Sequence, residues 1–254
     1  MTTPILEAVR AAAPEKQSHP PKIYEAQAVA DSALASRQSL ASVIDHTLLK
    51  PEASREQVLR LCAEAAQYRF ACAMVNPIWV ATAHAALDGT GVPVGAVIGF
   101  PLGVSLPTTK REEAEALLKA GARELDMVLN LGLLKSGEIS LVDADIRGVI
   151  ALAHDAGAIV KVILETCLLS LEEKILASEI ACAAGADFLK TSTGLSTAGA
   201  TTGDVALLRG VAGSRCGVKA SGGIRTLADA RAMLEAGANR LGASAAVAIV
   251  QELD

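Results

Sequence analysis

"TTKREEAEALLKAGARELDMVLN", Thr108–Asn130, holds a helix and a strand joined through a single glycine. Its first half spaces alanine and leucine among charges at helical intervals. Gly121 then closes the helix as a residue suited to the left-handed backbone of a C-terminal cap. From Arg123 the pattern contracts to an apolar run of strand length. The same junction returns as "AAGADFL" (Ala183–Leu189) and "EAGANRL" (Glu235–Leu241): helix, glycine, alanine, a polar residue, strand. A handover repeated in this way implies βαβ units and a parallel sheet.

On either side of these junctions, eight short apolar runs alternate with helical stretches. They are "SVIDHTLL" (42–49), "FACAMVN" (70–76), "PVGAVIGF" (93–100), "RELDMVLN" (123–130), "IVKVILE" (159–165), "DFLKT" (187–191), "GVKAS" (217–221) and "NRLGAS" (239–244). Eight is the number that closes a (β/α)8 TIM barrel. The alternative is an open doubly wound sheet, but no GxGxxG follows the first strand to suggest a dinucleotide site. Residues 1–40 differ from the rest, with the Pro-rich break "APEKQSHPPK" (13–22) before an Ala/Ser-rich helical stretch. The expected organisation is an N-terminal helical extension, 1–40, on a barrel domain, 41–254.

Charges in the strands are the anomaly. Side chains alternate along a strand, so every second residue points into a barrel. On that basis Glu124 and Asp126 share a face with Val128, and Lys161 shares one with Ile163 and Glu165. Lys190 lies beyond Phe188 on one side of its strand, and Lys219 lies with Gly217 and Ser221. Four consecutive strands thus offer inward charges, although a core strand has no structural need of a lysine. Buried ion pairs, or lysines snorkelling to the rim, would be the structural explanation. The chemical one is a nucleophilic amine whose pKa is depressed by a second cation, assisted by desolvation. Such an amine condenses with a carbonyl to a Schiff base, and a nearby carboxylate moves protons through water. Two lysines and one aspartate suit carbon–carbon bond cleavage.

Bulk properties restrict the setting. The 254 residues are 51% hydrophobic, 2% aromatic and carry a formal net charge of −5. An acidic chain without a basic stripe argues against nucleic acid as a partner. No apolar run reaches the length of a membrane span, and "MTTPILEAVRAAAPEKQ" lacks the pattern of a secretory signal; the expectation is a cytoplasmic protein. Cys62, Cys72, Cys167, Cys182 and Cys216 form no CxxC or Cys/His cluster and read as small core residues in a reducing compartment. His19, His46, His84 and His154 lack ligand spacing, so no metal is expected.

Seven ordered motifs carry a resemblance from about Leu40 to the C-terminus: "IDHTLLKP" (44–51), "IGFPLG" (98–103), "ELDMVLN" (124–130), "KVILET" (161–166), "ADFLKTSTG" (186–194), "GVKASGGIR" (217–225) and "LGAS" (241–244). In these the chain resembles the deoxyribose-phosphate aldolase family, class I enzymes that interconvert 2-deoxy-D-ribose 5-phosphate with D-glyceraldehyde 3-phosphate and acetaldehyde. The resemblance implies Lys190 as the Schiff-base lysine, Lys219 as the lysine that lowers its pKa, and Asp126 as the proton relay. Lys161 is a further site candidate, and Asp45 and Thr47 fall where the family lines the floor of the site. It implies no cofactor, a phosphorylated sugar and acetaldehyde as partners, and a homo-oligomer, dimer or tetramer.

The phosphate end also has a physical reading. "SGGIRTLADA" and "LGASAA" are turns running into helices after strands seven and eight, where barrel enzymes bind phosphate on backbone N–H groups. Gly222, Gly223 and Ser244 are the candidates, supported by Ser221 and Gly194. The chain departs from some family members at Ala245, where they have a second serine. Two rival readings remain. A phosphate-binding isomerase or synthase barrel would use a carboxylate base without paired lysines, and a dead barrel kept as a scaffold would have lost Lys190, Lys219 or Asp126.

Overall fold

A computed structural model describes residues 26–253. In it all eight apolar runs become parallel strands, each hydrogen-bonded to the next, and the eighth pairs with the first. The strands are β1 (Ile44–Leu48), β2 (Cys72–Val75), β3 (Val94–Ile98), β4 (Glu124–Val128), β5 (Ile159–Ile163), β6 (Phe188–Lys190), β7 (Gly217–Ser221) and β8 (Arg240–Ala243). The TIM barrel is therefore closed.

The helices are α1 (Ala26–Ala33), α2 (Arg37–Ala41), α3 (Arg55–Tyr68), α4 (Val80–Leu87), α5 (Pro107–Lys119), α6 (Leu131–Lys135), α7 (Ile139–Asp155), α8 (Leu171–Ala184), α9 (Thr202–Ala212), α10 (Leu227–Glu235) and α11 (Ala246–Gln251). Three begin with reciprocal capping boxes: Ser54 with Gln57, Ser170 with Glu173, and Thr226 with Asp229. Each box satisfies backbone N–H groups that a helix start leaves without partners. Gly121, Gly185 and Gly237, the glycines of the repeated junction, have φ of 109°, 98° and 112°. A side chain is strained in that region, which accounts for the glycine.

Two apolar layers differ greatly in size. Leu125, Met127, Val160, Val162, Leu189, Val218 and Leu241 point outward from the strands into one large core shared with the helices. Inside the barrel the apolar cluster is small: Cys72, Met74 and Val97, with Leu49 and Phe100 against it. Burying one Leu or Val is worth about 1.5–3 kcal/mol, so the outer layer supplies the stability that lets the interior hold charge.

Of the expected extension, residues 1–25 lie outside the described residues. The remainder packs on the barrel: α1 lies against α10 and α2 against α11. Ala30, Ala33, Leu40 and Ala41 enter the main core, and Arg37 Nε donates to the Leu253 carbonyl at 2.5 Å. Among the described residues no helix is long and apolar enough to cross a membrane.

Candidate active site

Lys190 ends β6 and is in register with Lys219 on β7. Asp126 on β4 is in register with Lys161 on β5, and Ile163 with Lys190. These registers bring the inward charges of four neighbouring strands to one place. Asp126 is the hub: its Oδ2 accepts from Lys190 Nζ and from Lys219 Nζ, both at 2.7 Å, and its Oδ1 accepts from Lys161 Nζ at 2.8 Å. Beneath it Asp45 holds Lys219 at 2.5 Å through one oxygen and Arg240 at 2.9 Å through the other. Glu124 pairs with Lys161 at 2.5 Å and with Arg240 at 3.2 Å, and Arg240 stacks over the Phe188 ring at 5.5 Å.

Electrostatics single out one of these groups. The interior holds four cations, Lys161, Lys190, Lys219 and Arg240, against three carboxylates, Asp45, Glu124 and Asp126. Charge balances when one cation is neutral. Burial pushes Lys190 down to about 8; the Asp126 carboxylate opposes this, while the charges of Lys219 and then Lys161 add to it. Burial disfavours charged Lys161 too, but Asp126, Glu124 and Asp45 overcome this and hold its pKa well above the ordinary value. Burial would raise Asp45, yet Lys219, Lys161 and Arg240 bring it to about 2. Asp126 is likewise held well below its usual range by Lys161, Lys190 and Lys219, against the pull of burial. At about 8, Lys190 keeps an appreciable neutral fraction at physiological pH. Desolvation thus comes ahead of the second cation among the causes, the reverse of the order expected from the sequence.

Around the mouth, the backbone of Lys190 and Thr191 is clamped: Leu164 N–H donates to the Lys190 carbonyl and Thr166 N–H to that of Thr191, each at 2.9 Å. Ser221 is enclosed, its Oγ donating to the Ser192 carbonyl at 2.6 Å and its N–H to Thr191 Oγ1 at 3.1 Å. Gly194, Gly222 and Gly223 have φ of 84°, 85° and 83°. A Cβ on Gly222 would meet the Cα of Gly199 at 2.9 Å and that of Gly194 at 3.2 Å, so the β6–α9 and β7–α10 loops touch backbone to backbone. Nothing lies within 4 Å of a Cβ built on Gly223. Its surroundings are open.

A profile described as DeoC/LacD family aldolase matches residues 39–252. The deoxyribose-phosphate aldolases of Geobacillus sp. (strain WCH70) and Bacillus subtilis (strain 168) are each 54% identical to this chain over 213 residues, 84% of it and 95% of theirs. The chain belongs to the DeoC/LacD aldolase family. Among solved structures, the tetrameric deoxyribose phosphate aldolase from Aeropyrum pernix superposes with a TM-score of 0.83 at 39% identity, covering 90% of this chain and 96% of that one. A putative deoxyribose-phosphate aldolase from Coccidioides immitis has the same TM-score at 40% identity, covering 98% and 94%.

For this aldolase, most candidates read from the sequence converge, at different depths. Lys190, Lys219, Asp126 and Asp45 form one cluster. Lys161 is its fully buried base, saturated by three carboxylates, away from the opening. Thr47 lies two residues nearer the strand end than Asp45 and donates its hydroxyl to the Asp45 carbonyl at 2.9 Å. Gly194, Gly222 and Ser221 form the loop contact described above; Gly223 and the exposed Ser244 lie on the loops that follow β7 and β8.

Two residues of the site are not among the candidates read from the sequence, although Glu165 shares the inward face of Lys161. Arg240 alternates with Gly242 on β8, so the period-two argument that found the lysines would have found it. Glu165 has φ 52°, unusual for a side-chain-bearing residue. Its buried carboxylate accepts from Thr193 Oγ1 at 2.5 Å and from Thr193 N–H at 3.3 Å, pinning the β6–α9 loop to the end of β5.

Among the described residues, Asp45, Cys72 and Glu124 bring ligand-type atoms close together. Lys161 and Arg240 already neutralise both carboxylates. Burial, then Glu124 and Asp45, hold the Cys72 thiol well above its ordinary pKa. A protonated thiol is a poor metal ligand. A separate surface cavity of about 430 Å³ lies beside the β3–α5 loop, lined by Leu102, Val104, Glu112 and Glu113 among others. Its acidic wall has the wrong sign for a phosphate.

Proposed function

We infer that this enzyme is a deoxyribose-phosphate aldolase, cleaving 2-deoxy-D-ribose 5-phosphate reversibly to D-glyceraldehyde 3-phosphate and acetaldehyde through a Schiff base on Lys190. The observation that carries the reading is the trio of Lys190, Lys219 and Asp126 at 2.7 Å contacts in a buried barrel end, with Lys190 lowered to about 8. Neutral Lys190 adds to the C1 aldehyde of the open-chain sugar, and the carbinolamine loses water to give the protonated imine. Asp126, through a water, removes the proton of the C3 hydroxyl. The C2–C3 bond then breaks, its electron pair moves into the iminium to form an enamine, and glyceraldehyde 3-phosphate leaves. Protonation of the enamine at C2 and hydrolysis of the imine release acetaldehyde and restore Lys190.

Charge balance supports these roles. Lys161, well above its ordinary pKa, stays a cation and keeps Asp126 ionised. Lys219 is fixed between Asp45 and Asp126, so its position next to Lys190 is set by two carboxylates. In this reading the phosphate binds on the loops after β7 and β8, at Gly222, Gly223 and Ser244, with Gly194 and Ser221 behind them. The barrel from residue 41 onward is the catalytic domain in this reading. In this reading the protein works as a cytoplasmic homo-oligomer, and the tetrameric Aeropyrum pernix relative supports the assembly.

The test is product identity. Purified protein given 2-deoxy-D-ribose 5-phosphate should release acetaldehyde and glyceraldehyde 3-phosphate in equal amounts, and the Lys190→Met variant should release neither. An isomerised sugar phosphate as sole product would point to the carboxylate-base alternative.

A further inference from the structure

Outside the catalytic cluster one pair of nucleophilic side chains stands out. Cys182 lies in the last turn of α8, and Cys216 immediately precedes β7; their sulfurs are 3.0 Å apart across 34 residues of sequence. Both are thiols. Cys216 is buried, at 4% exposure, whereas Cys182 is half-exposed. We propose that Cys182 and Cys216 are an oxidisable dithiol site that a small disulfide, such as glutathione disulfide, converts into an intramolecular staple between α8 and β7.

The two sulfurs are already in contact. A disulfide bond is about 2.05 Å long, so the sulfurs need to approach by about 1 Å. The half-exposed Cys182 is the sulfur that reagent can reach. Its thiolate attacks one sulfur of the small disulfide; the reagent's S–S bond breaks, a mixed disulfide forms on Cys182, and one small thiol leaves. Cys216 then attacks the Cys182 sulfur, releasing the second small thiol. Two protein thiols lose two electrons in total, the reagent gains them, and the two thiol protons end on the two released thiols.

The surroundings assist the second step. The Cys216 thiol is held well above its ordinary pKa, first by its hydrogen bond with Cys182 and then by burial, while Arg215 and Arg209 favour the thiolate. Once Cys182 carries the mixed disulfide, that leading cause is gone. Arg209 stays beside the attacking group, its Nη1 donating to the Cys216 carbonyl at 3.2 Å. The staple would enclose all of β6, α9 and the loop between them, the segment that carries Lys190. Cross-linking a loop of this length removes conformational freedom from the unfolded chain, so the staple stabilises.

The test uses the full, reduced wild-type chain incubated with glutathione disulfide. Non-reducing peptide mapping should find the Cys182 and Cys216 peptides joined within one chain, with the loss of two hydrogens. Tm should rise by roughly 5–10 °C and return on reduction. The Cys216→Ala variant, unable to resolve, should accumulate glutathione on Cys182. A wild-type protein that retains glutathione on Cys182, links Cys182 to a different cysteine, or links the pair without a rise in Tm overturns the proposal.

Discussion

Replacing Lys219 with leucine removes one charge from the site and keeps most of the side-chain bulk. Lys190 and Lys219 both lie 2.7 Å from the same oxygen of Asp126, so their ammonium groups are separated by no more than about 5.4 Å. At an effective dielectric of about 20, unit charges at that distance repel by about 3 kcal/mol, or about 2 pKa units. Burial heads the causes that lower Lys190 from 10.5 to about 8, and Asp126 works against it, so the share left to Lys219 is about 1–2 units. Without Lys219, Lys190 should titrate at about 9–10. Its neutral fraction at pH 7 then falls from about 10% to about 1% or less. The assay is the rate of acetaldehyde-dependent inactivation by cyanoborohydride between pH 6 and 10.5. The variant should be about 10–100-fold slower at pH 7 and converge on wild type above pH 10, with Lys219→Arg recovering part of the difference. A variant with the wild-type midpoint and a uniform loss at every pH would refute the electrostatic role.

Three further substitutions address the cluster and the loop beside it. Asp126→Asn should lower turnover by about 10²–10⁴-fold while trapping at pH 7 persists, because Asp126 opposes the lowering of Lys190; loss of both together would mean that Asp126 also builds the imine. Arg240→Met should destabilise the protein by about 3–5 kcal/mol in urea unfolding, since it removes a charge partner from buried Asp45 and Glu124; a change under about 1 kcal/mol would show the pairs to be dispensable. Glu165→Gln weakens the hold on Thr193 and should raise KM for the phosphosugar about tenfold, the scale of one charge-assisted hydrogen bond. An unaltered KM would detach that loop from substrate binding.

The barrel was legible because its two faces follow different rules. Outward residues such as Leu125, Val160 and Leu189 had to be apolar to meet helices, so Asp126, Lys161 and Lys190 stood out between them. The glycine junctions fixed the phase of the repeat, and Gly121, Gly185 and Gly237 all took the left-handed backbone. Pairing within the cluster was not legible. Whether Lys219 meets Asp45 or Glu124 depends on strand register across residues far apart in sequence, and no local pattern encodes it. The leading role of burial in lowering Lys190 was hidden for a similar reason, since desolvation depends on how completely the barrel closes. Arg240 could have been found by the alternation rule applied to β8. The left-handed Glu165 and the contact of Cys182 with Cys216 have no sequence signature and emerge only from the folded chain.

The mechanism requires that Lys190 alone form the carbon–nitrogen bond. Borohydride reduction in the presence of acetaldehyde, followed by mass mapping of the peptides, tests it directly. The expected result is a two-carbon adduct on Lys190 in the "FLKTSTG" peptide, with Lys161 and Lys219 unmodified. An adduct on Lys219 or Lys161, or inactivation without any adduct on Lys190, would remove Lys190 from the role of nucleophile.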